Sequence, residues 1–312
     1  QSRGRRRPLA LAVPLLVLAT ACNGSAAEPP NTTTSTPGPR AVAGLAVGQD
    51  TVTVMAAGDI ARRPDDGDGT AALIEDANPD AVIALGDLAY DRGSPTEFKE
   101  NYDPTWGAFR AITRPVPGNH EYKTPGASGY FQYFRRQIHD KPYYAWDAGL
   151  WRMYALNCDI DCGRGSAQVQ WLIEDLAEHA DRPALAYVHE PLYTCSTRHP
   201  PLRRLDDIWG ALDQAGGQLV LSGNNHAYER FAPQDATAQA SADGLRQFVV
   251  GTGGATLYPL SSPCANRENQ TDQTEGVLKL TLTADAYAWE FIGVSGEVLD
   301  SGSQKVVEPG GP

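Results

Sequence analysis

The chain is poor in sulfur: its 312 residues include five cysteines and two methionines, and no two cysteines are spaced as CxxC. Zinc-ribbon and thioredoxin-type patterns are thereby excluded. It is also short of basic charge, with 26 Lys and Arg against 38 Asp and Glu and a net charge of −12. A chain of that sign does not hold polynucleotide by charge attraction, so no nucleic-acid partner is expected. It has no apolar run of roughly 20 residues, the length a membrane-spanning helix needs, and no internal repeat. Wholesale disorder is excluded as well, because 41% of the residues are hydrophobic, enough for one large core or two modest ones.

What is present begins at the N-terminus. Arg3, Arg5, Arg6 and Arg7 precede an apolar run from Leu9 to Ala21 that leads into Cys22 through LATAC. Basic residues, a short apolar segment and small residues before Cys22 predict an export signal over residues 1–21. LATAC resembles a bacterial lipobox, which implies that Cys22 receives diacylglycerol and becomes the mature N-terminus; the competing reading is an ordinary secretory signal with Cys22 incidental. The expected location is outside the cytoplasm, as a cell-surface lipoprotein or extracellular protein that touches the membrane only through a lipid on Cys22. Loss of residues 1–21 removes four arginines and no acid, leaving 22 basic against 38 acidic residues and a net charge near −16. Residues 22–48, rich in Pro, Thr and Ser, predict a flexible tether. The folded domain is expected over residues 49–308, with a tail at 309–312.

The remaining cysteines are Cys158, Cys162, Cys195 and Cys264. An even number in an exported chain predicts two disulfides, with three connectivities to choose from. Cys158 with Cys162, which close a tight loop in NCDIDCG, and Cys195 with Cys264 are the favoured pairs. A thiol-rich metal site is the weaker alternative.

From residue 51 onward, short apolar runs alternate with amphipathic stretches. Several runs read as buried strands that end in a residue able to bind metal or phosphate: TVTVMAAGD at Asp59, AVIALGD at Asp87, RPVPGNH at Asn119 and His120, ALAYVHEP at His189, and QLVLSGNNH at His226. Glycine precedes the polar residue in three of them, where a chain leaving a strand turns sharply. Helices are expected over 69–77, 166–180 with Ser166 as N-cap, and 201–215. Alternation of this kind implies an α/β layered fold with ligands at the carboxyl ends of strands. Toward the C-terminus, RQFVVGTGG, GVLKLTLTADAYAWEFIG and GEVLDSG predict hairpin or meander strands, giving two packed sheets flanked by helices.

In order, the chain reads GD (58–59), GDLAY (86–90), GNHE (118–121), VHEP (188–191) and GNNHAYER (223–230). This series resembles the calcineurin-like metallophosphoesterase superfamily over residues 52–232, and its GDxxY and HAYER elements are similar to the purple acid phosphatase branch. The resemblance implies a four-layer α/β/β/α sandwich and two metal ions. Asp59, Tyr90 and His226 would hold the first ion, Asp87 would bridge both, and Asn119 with His189 would hold the second. His120 would face the substrate phosphate as the catalytic residue, with Glu121 or a nearby acid fixing its tautomer. Two cations about 3.5 to 4 Å apart clamp phosphoryl oxygens and lower the pKa of a bound water, supplying a nucleophile. A phenol with a pKa near 10 becomes a good ligand only beside a strongly acidic cation, so Tyr90 points to Fe(III), accompanied by a divalent Zn, Fe, Mn or Ca ion. The plant members carry a separate N-terminal β-sandwich domain, where this chain has only the tether.

The family's last element is GHxH, with one imidazole for each ion. Here GNNH keeps His226 but has Asn224 in place of the first histidine. An amide oxygen is a harder and weaker donor than imidazole for zinc- or iron-like ions. Asn224 then coordinates through its carbonyl oxygen, leaves the position to water, or leaves the second site largely empty. Glu190 occupies a position where many bacterial relatives have a second histidine, and His199 in TRHPP is a candidate substrate contact on a loop. The expected function is a metal-dependent hydrolase of phosphate monoesters or small diesters. The alternative is a second-metal-deficient relative, weakly active or non-catalytic, that binds phosphate or a partner at the cell surface.

Overall fold

Strand segments buried on both faces account for the near-continuous apolar runs in the sequence. The computed structural model describes residues 50–260 and 264–307, so the signal over 1–21, Cys22, the tether over 22–48 and the 309–312 tail lie outside the described residues. The chain forms β1 (Thr51–Ala57), α1 (Asp68–Ala77), β2 (Ala81–Leu85), the short α2 (Pro95–Glu97) and β3 (Thr113–Val116). Short helices α3 (Ser128–Tyr133) and α4 (Arg135–Ile138) lead to the hairpin β4 (Tyr144–Ala148) and β5 (Trp151–Ala155). Next come α5 (Ala167–Glu178), β6 (Ala184–Tyr187), α6 (Asp206–Gln214) and β7 (Leu219–Ser222). The rest is strand: β8 (Tyr228–Phe231), β9 (Arg246–Val250), β10 (Arg267–Thr271), β11 (Gly276–Thr283), β12 (Ala286–Gly293) and β13 (Val298–Lys305).

Two mixed sheets result, one of six strands ordered β13-β12-β11-β1-β2-β3 and one of seven ordered β10-β8-β9-β7-β6-β5-β4. Strands β1, β2 and β3 are parallel, as are β5, β6, β7 and β9. Because successive strand residues face opposite ways, Leu185, Tyr187, Leu219, Leu221, Phe248 and Val250 enter one core together with residues of β1, β2 and β11. Their neighbours Ala184, Ala186, Val220 and Val249 point outward, against Leu172 and Leu176 of α5 and Ile208, Trp209 and Leu212 of α6. On the other sheet α1 packs against β11. The fold is therefore the expected pair of mixed sheets with flanking helices. Truncating a buried leucine such as Leu185 to alanine costs about 2–5 kcal/mol in a core of this kind.

The expected helices form with small shifts. Ser166 caps α5, its hydroxyl accepting from the Val169 N–H at 3.2 Å, and the stretch from 201 opens as a 3-10 turn over Arg203–Leu205 before α6. Cys158 is bonded to Cys162 and Cys195 to Cys264, with Cα atoms 5.3 and 5.8 Å apart, as favoured. No helix among the described residues is long and apolar enough to cross a membrane. At the carboxyl ends of the parallel strands the two sheets are joined: the Gly58 N–H donates to the Val250 carbonyl and the Gly253 N–H to the Gly58 carbonyl, both at 2.9 Å. That seam brings the strand-end motifs together.

Candidate metal centre

Five strand ends deliver the polar residues. Asp59 follows β1, Asp87 and Tyr90 follow β2, Asn119 and His120 follow β3, His189 follows β6, and Asn224 and His226 follow β7. Asp59, Asp87 and Asn224 take left-handed backbone angles, with φ of 59°, 52° and 64°, a conformation uncommon outside glycine that clusters at functional sites. Gly86, at φ +84°, has no alternative residue, since a Cβ there would lie 2.5 Å from His189 Nδ1.

Asp59, Asp87, Tyr90, His189 and His226 are each no more than 4% exposed, so their polar atoms must be matched inside the protein. The Tyr90 hydroxyl donates to Asp59 Oδ1 at 3.1 Å and lies 3.1 Å from His226 Nε2, which in turn is 3.2 Å from Asp59 Oδ1. His226 Nδ1–H donates to the Thr256 carbonyl at 2.7 Å, leaving Nε2 directed at this cluster. Beside it, His189 Nδ1–H donates to the Leu85 carbonyl at 2.8 Å, and Nε2 stands 3.4 Å from Asp87 Oδ2. Such a bond at one ring nitrogen fixes the tautomer of a metal-ligating histidine. The ligand atoms of Asp59, Asp87 and His189 all lie within 4.8 Å of one another.

The donor set fits cations. His189 Nε2 is buried yet has no hydrogen-bond partner, and in the neutral tautomer its lone pair faces a carboxylate. Without a metal, a proton must fill the gap. Burial works against it most strongly, but Asp87, Asp59 and Glu190 together raise the His189 pKa well above its ordinary value. Burial likewise opposes ionisation of Asp87, yet His189 and then His120 hold its carboxyl down at about 2. Tyr90 is pushed up by burial, then by Asp59 and Asp87, so it remains a phenol unless a strongly acidic cation binds.

His120 takes its main-chain bond from this cluster, its N–H donating to Asp87 Oδ1 at 2.8 Å, while its Nε2 is 3.8 Å from Asp87 Oδ2. The expectation that Glu121 fixes the His120 ring is corrected. His120 Nδ1 meets the Asp91 carbonyl at 2.7 Å, whereas the fully buried Glu121 accepts N–H bonds from Asp87 and Leu88 at 2.9 Å, Gly118 at 2.8 Å and Ala89 at 3.3 Å. Burial and Asp87 push Glu121 up to about 8. Every one of its contacts is a donor, however, so the carboxylate is the form that these two loops fit.

Above the cluster opens a cavity of about 290 Å³ lined by Asn119, His120, His199, Asn224 and His226 together with Arg62, Asp91, Arg198 and Tyr258. Asn224 is half-buried; its backbone N–H donates to Asp59 Oδ2 at 2.8 Å. Arg62, Arg198 and Tyr258 were not legible as site residues, because nothing in their local sequence sets them apart. Tyr258 stacks on His226 at 4.0 Å, and the Arg198 guanidinium lies 4.0 Å over Tyr258. Arg62 lies 4.8 Å over the Tyr90 ring and pairs with Asp91. Arg62 and Arg198 thus rim a floor that holds carboxylates. Asp159 was also missed. Its Oδ2 and Glu190 Oε2 are buried without hydrogen-bond partners, and burial followed by Glu190 raises Asp159 to about 7.

A profile of calcineurin-like phosphoesterases matches residues 52–228, from β1 to the first residue of β8. The chain belongs to this family. All five strand-end motifs of this calcineurin-like phosphoesterase fall within or at the edge of the match, and the family's fold implies divalent metal ions, for which Asp59, Asp87 and His189 form a possible site. Among solved structures, the purple acid phosphatase PPD1 from yellow lupin (Lupinus luteus) seeds is similar at a TM-score of 0.71 and 20% identity, over 82% of this chain and 54% of that one. The chain thus spans about half the length of the lupin protein. GAP50, the anchor in the inner membrane complex of Plasmodium, is similar at a TM-score of 0.67 and 11% identity, over 84% and 91% of the two chains. PhoD follows at 0.56 and 13%, over 84% and 70%. Likeness at these identities shows the fold. Among curated protein sequences none matches significantly.

Proposed function

We propose that the protein hydrolyses phosphate monoesters or small diesters at a two-cation centre. The observation that carries this reading is the meeting of the Asp59, Asp87 and His189 ligand atoms within 4.8 Å of one another, at a buried His189 nitrogen that lacks a partner, with Tyr90 and His226 gathered on Asp59. Asp59, Tyr90 and His226 would hold the first ion, Fe(III) by the chemistry of the phenol; Asp87 would be shared; Asn119 and His189 would hold a divalent second. When bound, the cations polarise the phosphoryl oxygens and make water nucleophilic near neutral pH. His120, whose Nδ1–H is held by the Asp91 carbonyl, lines the cavity beside the ester; its neutral ring offers Nε2 as an acceptor, and it donates to a phosphate or leaving-group oxygen only when protonated. Arg62, Arg198 and His199 supply positive or hydrogen-bonding contacts at the rim. The supporting facts are membership of the phosphoesterase family and the fold shared with a purple acid phosphatase.

Asn224 favours a second reading, a relative with the second ion weakly held that binds phosphate or a partner; GAP50, of similar fold, is named as an anchor. Metal analysis combined with release of phosphate from an aryl ester separates the two. Two ions per chain with turnover supports hydrolysis, and a visible absorption band lost in Tyr90→Phe supports Fe(III). One ion with phosphate binding alone supports the second reading. Work outside the cytoplasm, with a lipid on Cys22, belongs to the same proposal and is supported by the paired cysteines.

A further inference from the structure

A larger cavity, about 730 Å³, runs beside β4, the edge strand of the seven-stranded sheet, and shares no lining residue with the metal-centre cavity. Its size falls in the range of small-molecule sites, roughly 300–1,000 Å³. Arg114, Arg136 and Lys141 line it, and none of the three forms an ion pair among the described residues. This occurs in a chain with twelve more acids than bases. The one carboxylate in the lining, Asp175, is held by Arg152 at 2.7 Å. With Asp175 matched by Arg152, the three further cations leave this lining net positive in a molecule rich in acids.

The walls add flat apolar faces. Trp146 and Trp171 are half-exposed; the Arg114 guanidinium lies 5.3 Å over the Trp146 ring, and Tyr143 sits 5.0 Å from Trp171. Gln137 donates from Nε2 to the Arg110 carbonyl at 3.0 Å, while its Oε1 is buried with no partner. That oxygen is closed off from the groove, and only the rest of the side chain lines it. We propose that this groove binds an organic polyanion that carries a planar ring, of mononucleotide size: the three cations take the phosphates and the aromatic faces stack on the ring. A polynucleotide is disfavoured by the charge of the whole chain. The site is independent of the proposed hydrolytic reading.

Isothermal titration of the full chain, stripped of metal by chelation so that the metal centre does not take the anion, with the α,β-methylene analogue of ADP, which resists hydrolysis at the bridging position, tests this. Arg136→Gln with Lys141→Gln, at two exposed positions, is expected to weaken binding at least tenfold while metal content and aryl phosphate turnover stay unchanged. Trp171→Leu is expected to weaken the nucleotide analogue while leaving methylenediphosphonate, which has no ring, unaffected. The proposal is overturned if the wild-type protein does not bind the analogue at millimolar concentration, or if the double variant binds it as wild type does. It is equally overturned if methylenediphosphonate binds as tightly as the nucleotide, because the aromatic wall then contributes nothing.

Discussion

Replacing Asn224 by histidine restores the imidazole that the GHxH element supplies to the second ion. Loss of supporting contacts at metal sites costs roughly 10–100-fold in affinity or activity, so Asn224→His is expected to raise second-ion occupancy and turnover by about that factor. Metal analysis and phosphate release on both forms check it. The pairing of His189 with Asp87 has a pH consequence. Asp87 is depressed from 3.8 to about 2, so its stabilisation of the metal-free fold is present above the ordinary value and lost as pH falls through about 2. His189 is raised, so its contribution is present below 6.5 and lost as pH rises through the folded value. A cation needs the imidazole neutral, and its uptake releases that proton. Apparent metal affinity is therefore expected to climb with pH across the neutral range, with proton release measured by calorimetry in two buffers of different ionisation enthalpy. Most residues of the site were legible individually because each sits at the end of an apolar run. Arg62, Arg198 and Tyr258 were not, since they reach the site through loops whose course depends on distant packing.

At the scale of elements, two loops meet on one side chain. Glu121 lies in the turn after β3, yet it accepts the N–H groups of Asp87, Leu88 and Ala89 from the turn after β2. Glu121→Gln presents an amide nitrogen where an acceptor is needed, and an unsatisfied buried donor costs about 1–3 kcal/mol. The variant is expected to lose at least about 2 kcal/mol of stability and to bind metal more weakly, read by denaturant unfolding and by metal titration. The sequence suggested a role for Glu121 at His120, its neighbour in the chain; three of its four actual partners are more than thirty residues away. Strands β1, β2, β6 and β7 were legible because their runs are buried on both faces. Strands β4, β8 and β10 were not, since they lie at or near the sheet margin and mix polar with aromatic residues.

For the whole molecule, the two internal disulfides are bonds that a reducing compartment would break, and export, as proposed, is supported by them and by the N-terminal sequence. If Cys22 carries lipid, Cys22→Ala is expected to move the protein from the membrane fraction to the medium without altering phosphate release, as fractionation and immunoblotting will show. The two-sheet architecture followed from the alternation of strands and helices, whereas sheet order depends on which strands pair at long range and had no local signal. Asp87 lies at the centre of the account, between the two proposed ions. The most direct measurement is the number of metal ions per chain in wild-type and Asp87→Asn protein of equal thermal stability, with aryl phosphate hydrolysis followed in the same samples. Two ions per chain and turnover in the wild type, with both lost in the variant, is the predicted result; wild-type metal content and turnover retained by Asp87→Asn would contradict it.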